Sequence, residues 1–128
     1  NKFSNLPQNI KWSYNGVLEQ KDVNKIFSKS DIFLFPTLGE NFGYIIFESL
    51  LNYCSVFLSS GTTPFKNLKN FLVGHNIDLK DPNIWSNHIN NYKSLNSEKN
   101  FKNYLNKLFN EKEIINENIE MFEKKIYT

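Results

Sequence analysis

Ile32-Phe33-Leu34-Phe35 is an unbroken apolar run, entered from Asp31 and stopped at Pro36. It shows none of the in-and-out alternation of a strand with one wet face. A run of this kind predicts a strand covered on both sides, and such strands belong to parallel sheets flanked by helices. The neighbouring sequence is organised as that reading requires. Val56-Phe57-Leu58 is a second short apolar run. Between the two, from Gly43 through Leu51, Tyr44, Phe47 and Leu51 share one helical face, and Ile46 and Leu50 widen it. Asn52-Tyr53-Cys54 ends that helix. Ser59-Ser60-Gly61-Thr62-Thr63-Pro64 predicts a turn-rich loop leading to a short helical piece from Phe65 to Phe71.

The flanks continue the alternation. Ile10, Trp12 and Tyr14 alternate with polar residues and run into Asn15-Gly16, which predicts a short strand ending in a turn. Val23, Ile26 and Phe27 fall at helical spacing between Lys21 and Ser28, with Asp22 placed where the helix dipole favours an acid. After Gly74, Asn76-Ile77-Asp78-Leu79 predicts a last edge strand. Asp81-Pro82 then starts a helix carrying Ile84, Trp85, His88 and Ile89 on one side. From Ser97 onward the pattern is helical. Tyr104, Leu105, Leu108 and Phe109 mark one amphipathic helix, and Ile114, Ile115, Ile119 and Phe122 mark another. Strands and helices in this order, closed by helices, predict an α/β fold with a mainly parallel, doubly wound sheet.

Composition narrows the function classes. The chain has 128 residues, 40% of them hydrophobic, which suits one domain with a real core. Net charge is only +2, and Lys is spread from Lys2 to Lys125 rather than gathered into a stripe, so no nucleic-acid footprint is indicated. The absence of Ala and Arg, with abundant Asn, Lys, Ile and Phe, reads as the codon bias of an AT-rich genome. Cys54 stands alone and predicts a reducing, cytoplasmic setting, its thiol a small buried apolar group. No apolar run approaches the roughly 18 residues of a membrane span. The start at Asn1 rather than Met suggests a piece of a longer protein.

In a doubly wound sheet, ligands bind beyond the carboxyl ends of the strands, where loops enter helix N-termini. Pro36 to Gly43 is such a loop. First-turn amides, among them those of Asn41, Phe42, Gly43 and Tyr44, lie at the positive end of the dipole and suit a phosphate, and Gly39 and Gly43 allow the backbone to approach it. Glu40 stands before the helix, and Glu48 lies about five residues, or roughly 7.5 Å, inside it. Helical side chains lean toward the N-terminus, so Glu48 reaches back to the mouth of the site. Neither carboxylate suits a phosphate. Both suit sugar hydroxyls flanking a diphosphate, in bonds worth about 1.5 to 3 kcal/mol each.

Phe35-Pro36-Thr37-Leu38-Gly39-Glu40-Asn41-Phe42-Gly43-Tyr44-Ile45-Ile46-Phe47-Glu48-Ser49 resembles the P-S/T-x-x-E-x-F-G-x-x-x-x-E signature of family 4 glycosyltransferases. Leu6 to Trp12, Asn15-Gly16-Val17, Ser30 to Leu34 and Thr63 to Leu68 are similar to that family's other blocks in the same order, so the resemblance spans about Leu6 to Tyr92. It implies a Rossmann-like domain, the nucleotide-sugar half of a GT-B enzyme, covering residues 1–110, with 111–128 forming a helix that crosses toward an acceptor-binding domain. It also implies a retaining, metal-free transfer from a nucleoside-diphosphate sugar, usually UDP-linked, with no cofactor. Glu40 would be catalytic, and Thr37, Asn41, Phe42, Gly43, Tyr44 and Glu48 would bind the donor. By family habit the acceptor is a glycan or lipid-linked sugar in polysaccharide or O-antigen synthesis at the inner face of the cytoplasmic membrane. Cys54-Ser55 stands where the family has Gly-Pro, and the βα unit bearing the diphosphate-binding Arg and Lys has no counterpart before Asn1. The chain alone is therefore expected to be catalytically silent. A nucleotide-sugar epimerase or phosphorylase of the same fold, and a non-catalytic nucleotide-binding domain, are the other readings.

The remaining residues have plainer expectations. His75 and His88 are 13 positions apart with no ligand spacing around them, so no metal site is expected. Trp12 and Trp85 are expected in the core, Ser60-Gly61-Thr62 in a turn that could line the donor crevice, and Lys99 to Lys112 on a solvated helix face.

Overall fold

The computed structural model describes residues 5–39, 43–93 and 97–111. Their order is α1 (Gln20–Lys29), β1 (Ile32–Phe35), α2 (Tyr44–Leu51), β2 (Ser55–Ser59), a 3-10 helix (Leu68–Phe71), β3 (Gly74–Ile77), α3 (Pro82–Asn90) and α4 (Glu98–Glu111). The strands form one parallel sheet in the order β1-β2-β3, with Phe33 opposite Val56 and Phe57 opposite His75. The fold is α/β. The order follows the chain, so the reversal that defines a doubly wound sheet does not fall within these strands.

One face of the sheet carries the core. Val56 and Leu58 of β2, with Phe33 and Phe35 of β1, lie beneath Ile46, Phe47 and Leu50 of α2 and beneath Phe101, Tyr104, Leu105 and Leu108 of α4. Phe27 of α1 packs its ring 5.1 Å from that of Phe33. Each such side chain contributes about 1.5 to 3 kcal/mol when fully enclosed, so this layer is the main source of stability. Phe57 projects from the opposite face toward His75 and toward His88 and Tyr92 of α3 and its end, at ring distances of 5.2, 6.3 and 6.1 Å.

Local chemistry explains the boundaries. α3 starts where Asp81 accepts a hydrogen bond from the Asn83 amide at 2.9 Å and Pro82 takes the first turn. Asn52 closes α2 by donating its side-chain amide to the Glu48 carbonyl at 2.8 Å and to Asn24 of α1 at 3.2 Å. Asn76 secures the 3-10 segment, donating to the Phe65 carbonyl and accepting from the Leu68 amide at 2.8 and 3.2 Å.

Several expectations require correction. The strand enclosed on both faces is β2, whose residues are all buried. β1 lies at an edge and Leu34 is 47% exposed, because the second face has only α3 to cover it among the described residues. Ile10 to Tyr14 form no strand: the Ile10 amide turns back to the Pro7 carbonyl, and no described strand offers this segment a ladder. Trp12 is accordingly 48% exposed rather than core, and Trp85 is half-buried, its indole donating to the Asp78 carbonyl. β3 begins two residues earlier than expected, at Gly74. α3 buries none of its residues fully, so its apolar side caps the sheet instead of forming core. The expected second C-terminal helix, with Ile114, Ile115, Ile119 and Phe122, lies outside the described residues.

Candidate functional site

Where β1 ends, the chain folds on itself. The Thr37 amide donates to the Phe35 carbonyl at 2.9 Å. The Thr37 hydroxyl donates to the Gly39 carbonyl and accepts from the Gly39 amide, each at 3.1 Å, a double use open to a hydroxyl. β2 ends alongside. Ser59, fully buried, donates its hydroxyl to the Thr37 carbonyl and lies 3.0 Å from the Thr62 hydroxyl. The Ser60 amide reaches the Ile77 carbonyl of β3 at 2.9 Å. The loops leaving β1 and β2 are thus tied together at the carboxyl edge of the sheet, and Ser60 to Thr62 stand beside Thr37.

Gly43 brings the chain back into order. It adopts φ 77, ψ 54, the left-handed region, and its carbonyl receives the first bonds of α2 from the Ile46 and Phe47 amides at 2.9 and 3.2 Å. The backbone conformation favours glycine, and a β-carbon there would lie 2.8 Å from Ile46 Cδ1, the end of a side chain that would have to turn aside. Tyr44, half-buried, is the first residue of α2. Glu48 follows one turn later, about 6 Å along the axis. It is only 5% exposed, and Ile46, Phe47, Ser49 and Leu50 around it are buried too. A solvated helix-face role is therefore excluded. A carboxylate so enclosed retains its charge only among hydrogen-bond donors.

Of the expected donor residues, Thr37 lies in the loop just after β1, Gly43 and Tyr44 cap and open α2, and Glu48 lies midway along that helix. Glu40, Asn41 and Phe42 lie outside the described residues. Cys54 is buried as expected, and burial pushes its thiol up to about 11, with a hydrogen bond to Ser49 opposing and Asp31 assisting.

The structure also joins two residues that the sequence left apart. His75 on β3 and His88 on α3 pack together with ring centroids 4.1 Å apart and planes inclined by 34°. Burial lowers the His75 pKa below its ordinary 6.5, and the neighbouring His88 and Lys69 lower it further. The signal was present in the sequence: α3 follows β3 directly and folds back over the sheet, placing the apolar side of α3, with His88, against the strand face that carries His75. Among the described residues, no cluster of three or more His, Cys, Asp or Glu is arranged to hold a metal ion. None of their helices is long and apolar enough to cross a membrane. The chain matches no protein-family model, no curated protein and no solved structure.

Proposed function

We propose that this chain is the donor-binding half of a retaining glycosyltransferase with the GT-B fold. The observation that carries the reading is the left-handed Gly43 turn, which feeds the N-terminus of α2 at the carboxyl edge of a parallel sheet with Glu48 enclosed one turn below. Its residues are also those of the family-4-like signature. A diphosphate takes the positive end of α2, where first-turn amides and the helix dipole offset its charge. Glu48 accepts hydrogen bonds from the ribose, and Glu40 orients hydroxyls of the donor sugar. The acceptor oxygen attacks the anomeric carbon from the side that the leaving diphosphate vacates. The glycosidic bond to the diphosphate breaks as the new one forms, and the acceptor proton passes to the departing phosphate oxygen, so configuration is retained. On this reading a further strand adds to the outer edge of β1 and supplies the doubly wound reversal. The enzyme works in the cytoplasm, at the inner membrane face, on a glycan or lipid-linked acceptor.

Amide NMR of this chain titrated with millimolar UDP tests the proposal. Shifts concentrated at Gly43, Tyr44, Thr37 and Ser60 to Thr62 are expected. Shifts confined to other parts of the sheet would overturn it.

A further inference from the structure

Away from the α2 terminus, two clefts adjoin beside β3, one of about 370 Å³ and the other of about 470 Å³. They share Lys69, His75 and His88 as lining residues; Lys66 lines the larger and Lys93 the smaller. No Asp or Glu lines either. That is a marked local bias in a chain with 15 Lys against 13 acids. The cations come from several elements: Lys66 from the loop before the 3-10 segment, Lys69 from that segment, His75 from β3, His88 from α3 and Lys93 beyond its end. The facing strand β2 contributes Phe57, which is uncharged. Asp78 and Asp81 accept the Lys80 and Asn83 amides, and Asp31 adjoins the smaller cleft through its carbonyl, which accepts from the Tyr92 hydroxyl and the Ser55 amide at 3.3 and 3.1 Å, without lining it. Asn67, Asn70 and Asn76 add amide groups to the larger cleft, while Phe57, Leu72 and Tyr92 give the smaller an apolar wall.

We propose that these clefts form one binding site for a phosphate-bearing small molecule, its oxyanion held among Lys66, Lys69 and the His75–His88 pair and its apolar part against Phe57 and Tyr92. The site is separate from the donor site at α2 and does not rest on the glycosyltransferase reading. Burial and then the neighbouring His88 and Lys69 disfavour protonation of His75, and a bound oxyanion opposes that effect. Binding and protonation are therefore coupled: for a given charge state of the phosphate, affinity is higher when His75 is protonated. Affinity also falls with ionic strength, because the clefts are open to solvent.

Phenyl phosphate is the probe, read by NMR of the histidine ring protons and backbone amides across the pH range, with sodium chloride at matched ionic strength as the control. The His75 titration midpoint is expected to move upward with phenyl phosphate and to stay in place with chloride, while the His88 ring signals shift on binding. Lys69 is exposed, so K69Q should fold normally. It should raise the ligand-free His75 midpoint while weakening the probe by about fivefold, the scale of one partly exposed charged contact. A His75 midpoint unmoved by the probe, equal movement with chloride, or binding that K69Q leaves intact would each overturn the proposal. So would amide shifts centred on Gly43 and Tyr44, which would place the anion at α2 instead.

Discussion

The Ser59 hydroxyl donates to the Thr37 carbonyl, and this bond ties the buried end of β2 to the loop that leaves β1. Ser59→Ala removes the donor and leaves the carbonyl in a partly enclosed place, at an expected cost of about 1 to 2 kcal/mol. It also removes the link to Thr62. Urea denaturation should show the loss, and an unchanged midpoint would mean that the two loops hold their positions independently.

Gly74 carries the strictest steric demand. Its φ is +152, and a β-carbon there would fall 1.9 Å from the Val56 carbonyl oxygen, on the backbone of the central strand. Gly74→Ala should cost more than about 4 kcal/mol, because neither strand can retreat without breaking the ladder. Gly61 is the comparison. Its φ is +74 with open space around it, so Gly61→Ala should cost only the left-handed strain, about 1 to 2 kcal/mol. Thermal melts of the two variants should separate them clearly.

This glycine also shows where the sequence was legible and where it was not. Val56-Phe57-Leu58 announced β2 because a strand buried on both faces must be apolar throughout. Asp81-Pro82 announced α3 because capping is local chemistry. Gly74-His75-Asn76 concealed β3: its glycine answers the neighbouring strand, and Asn76 serves the 3-10 segment rather than the sheet. Ile10, Trp12 and Tyr14 had a strand's alternation, but alternation makes a strand only where another strand pairs with it. At the site, the spacing of Glu48 from Gly43 was readable and its burial was not. Burial depends on elements distant in sequence packing around α2, among them α1, whose Asn24 bonds Asn52 one turn beyond Glu48.

Cys54 should react slowly in the folded protein. Its thiol pKa of about 11 leaves little thiolate near neutral pH, and the side chain is fully buried. Labelling with a disulfide reagent at about pH 8 should accelerate strongly once urea unfolds the chain. Rapid stoichiometric labelling of the native form would contradict the buried placement.

His75 should make stability depend on pH. Its folded pKa lies below the ordinary 6.5, so the unfolded chain binds the proton more readily, and stability falls as pH drops through that region. The loss between about pH 7.5 and about pH 5.5 should be smaller in His75→Gln than in the parent protein. Equal losses in urea midpoint would show that the histidine is not the responsible group.

Calorimetry of UDP binding to full-length enzyme carrying Glu48→Gln or Glu40→Gln tests the central claim most directly, with melting temperatures confirming that both variants fold. Glu48→Gln keeps the size of a buried side chain and removes its charge, so it should weaken UDP by about 1 to 3 kcal/mol, roughly 5- to 150-fold. UDP has no donor sugar for Glu40 to hold. Glu40→Gln should therefore leave UDP affinity nearly intact while lowering the transfer rate, since its contact strengthens as the glycosyl group gains positive charge. If Glu40→Gln cost as much UDP affinity as Glu48→Gln, or if Glu48→Gln cost none, the assignment of ribose to one carboxylate and donor sugar to the other would be wrong.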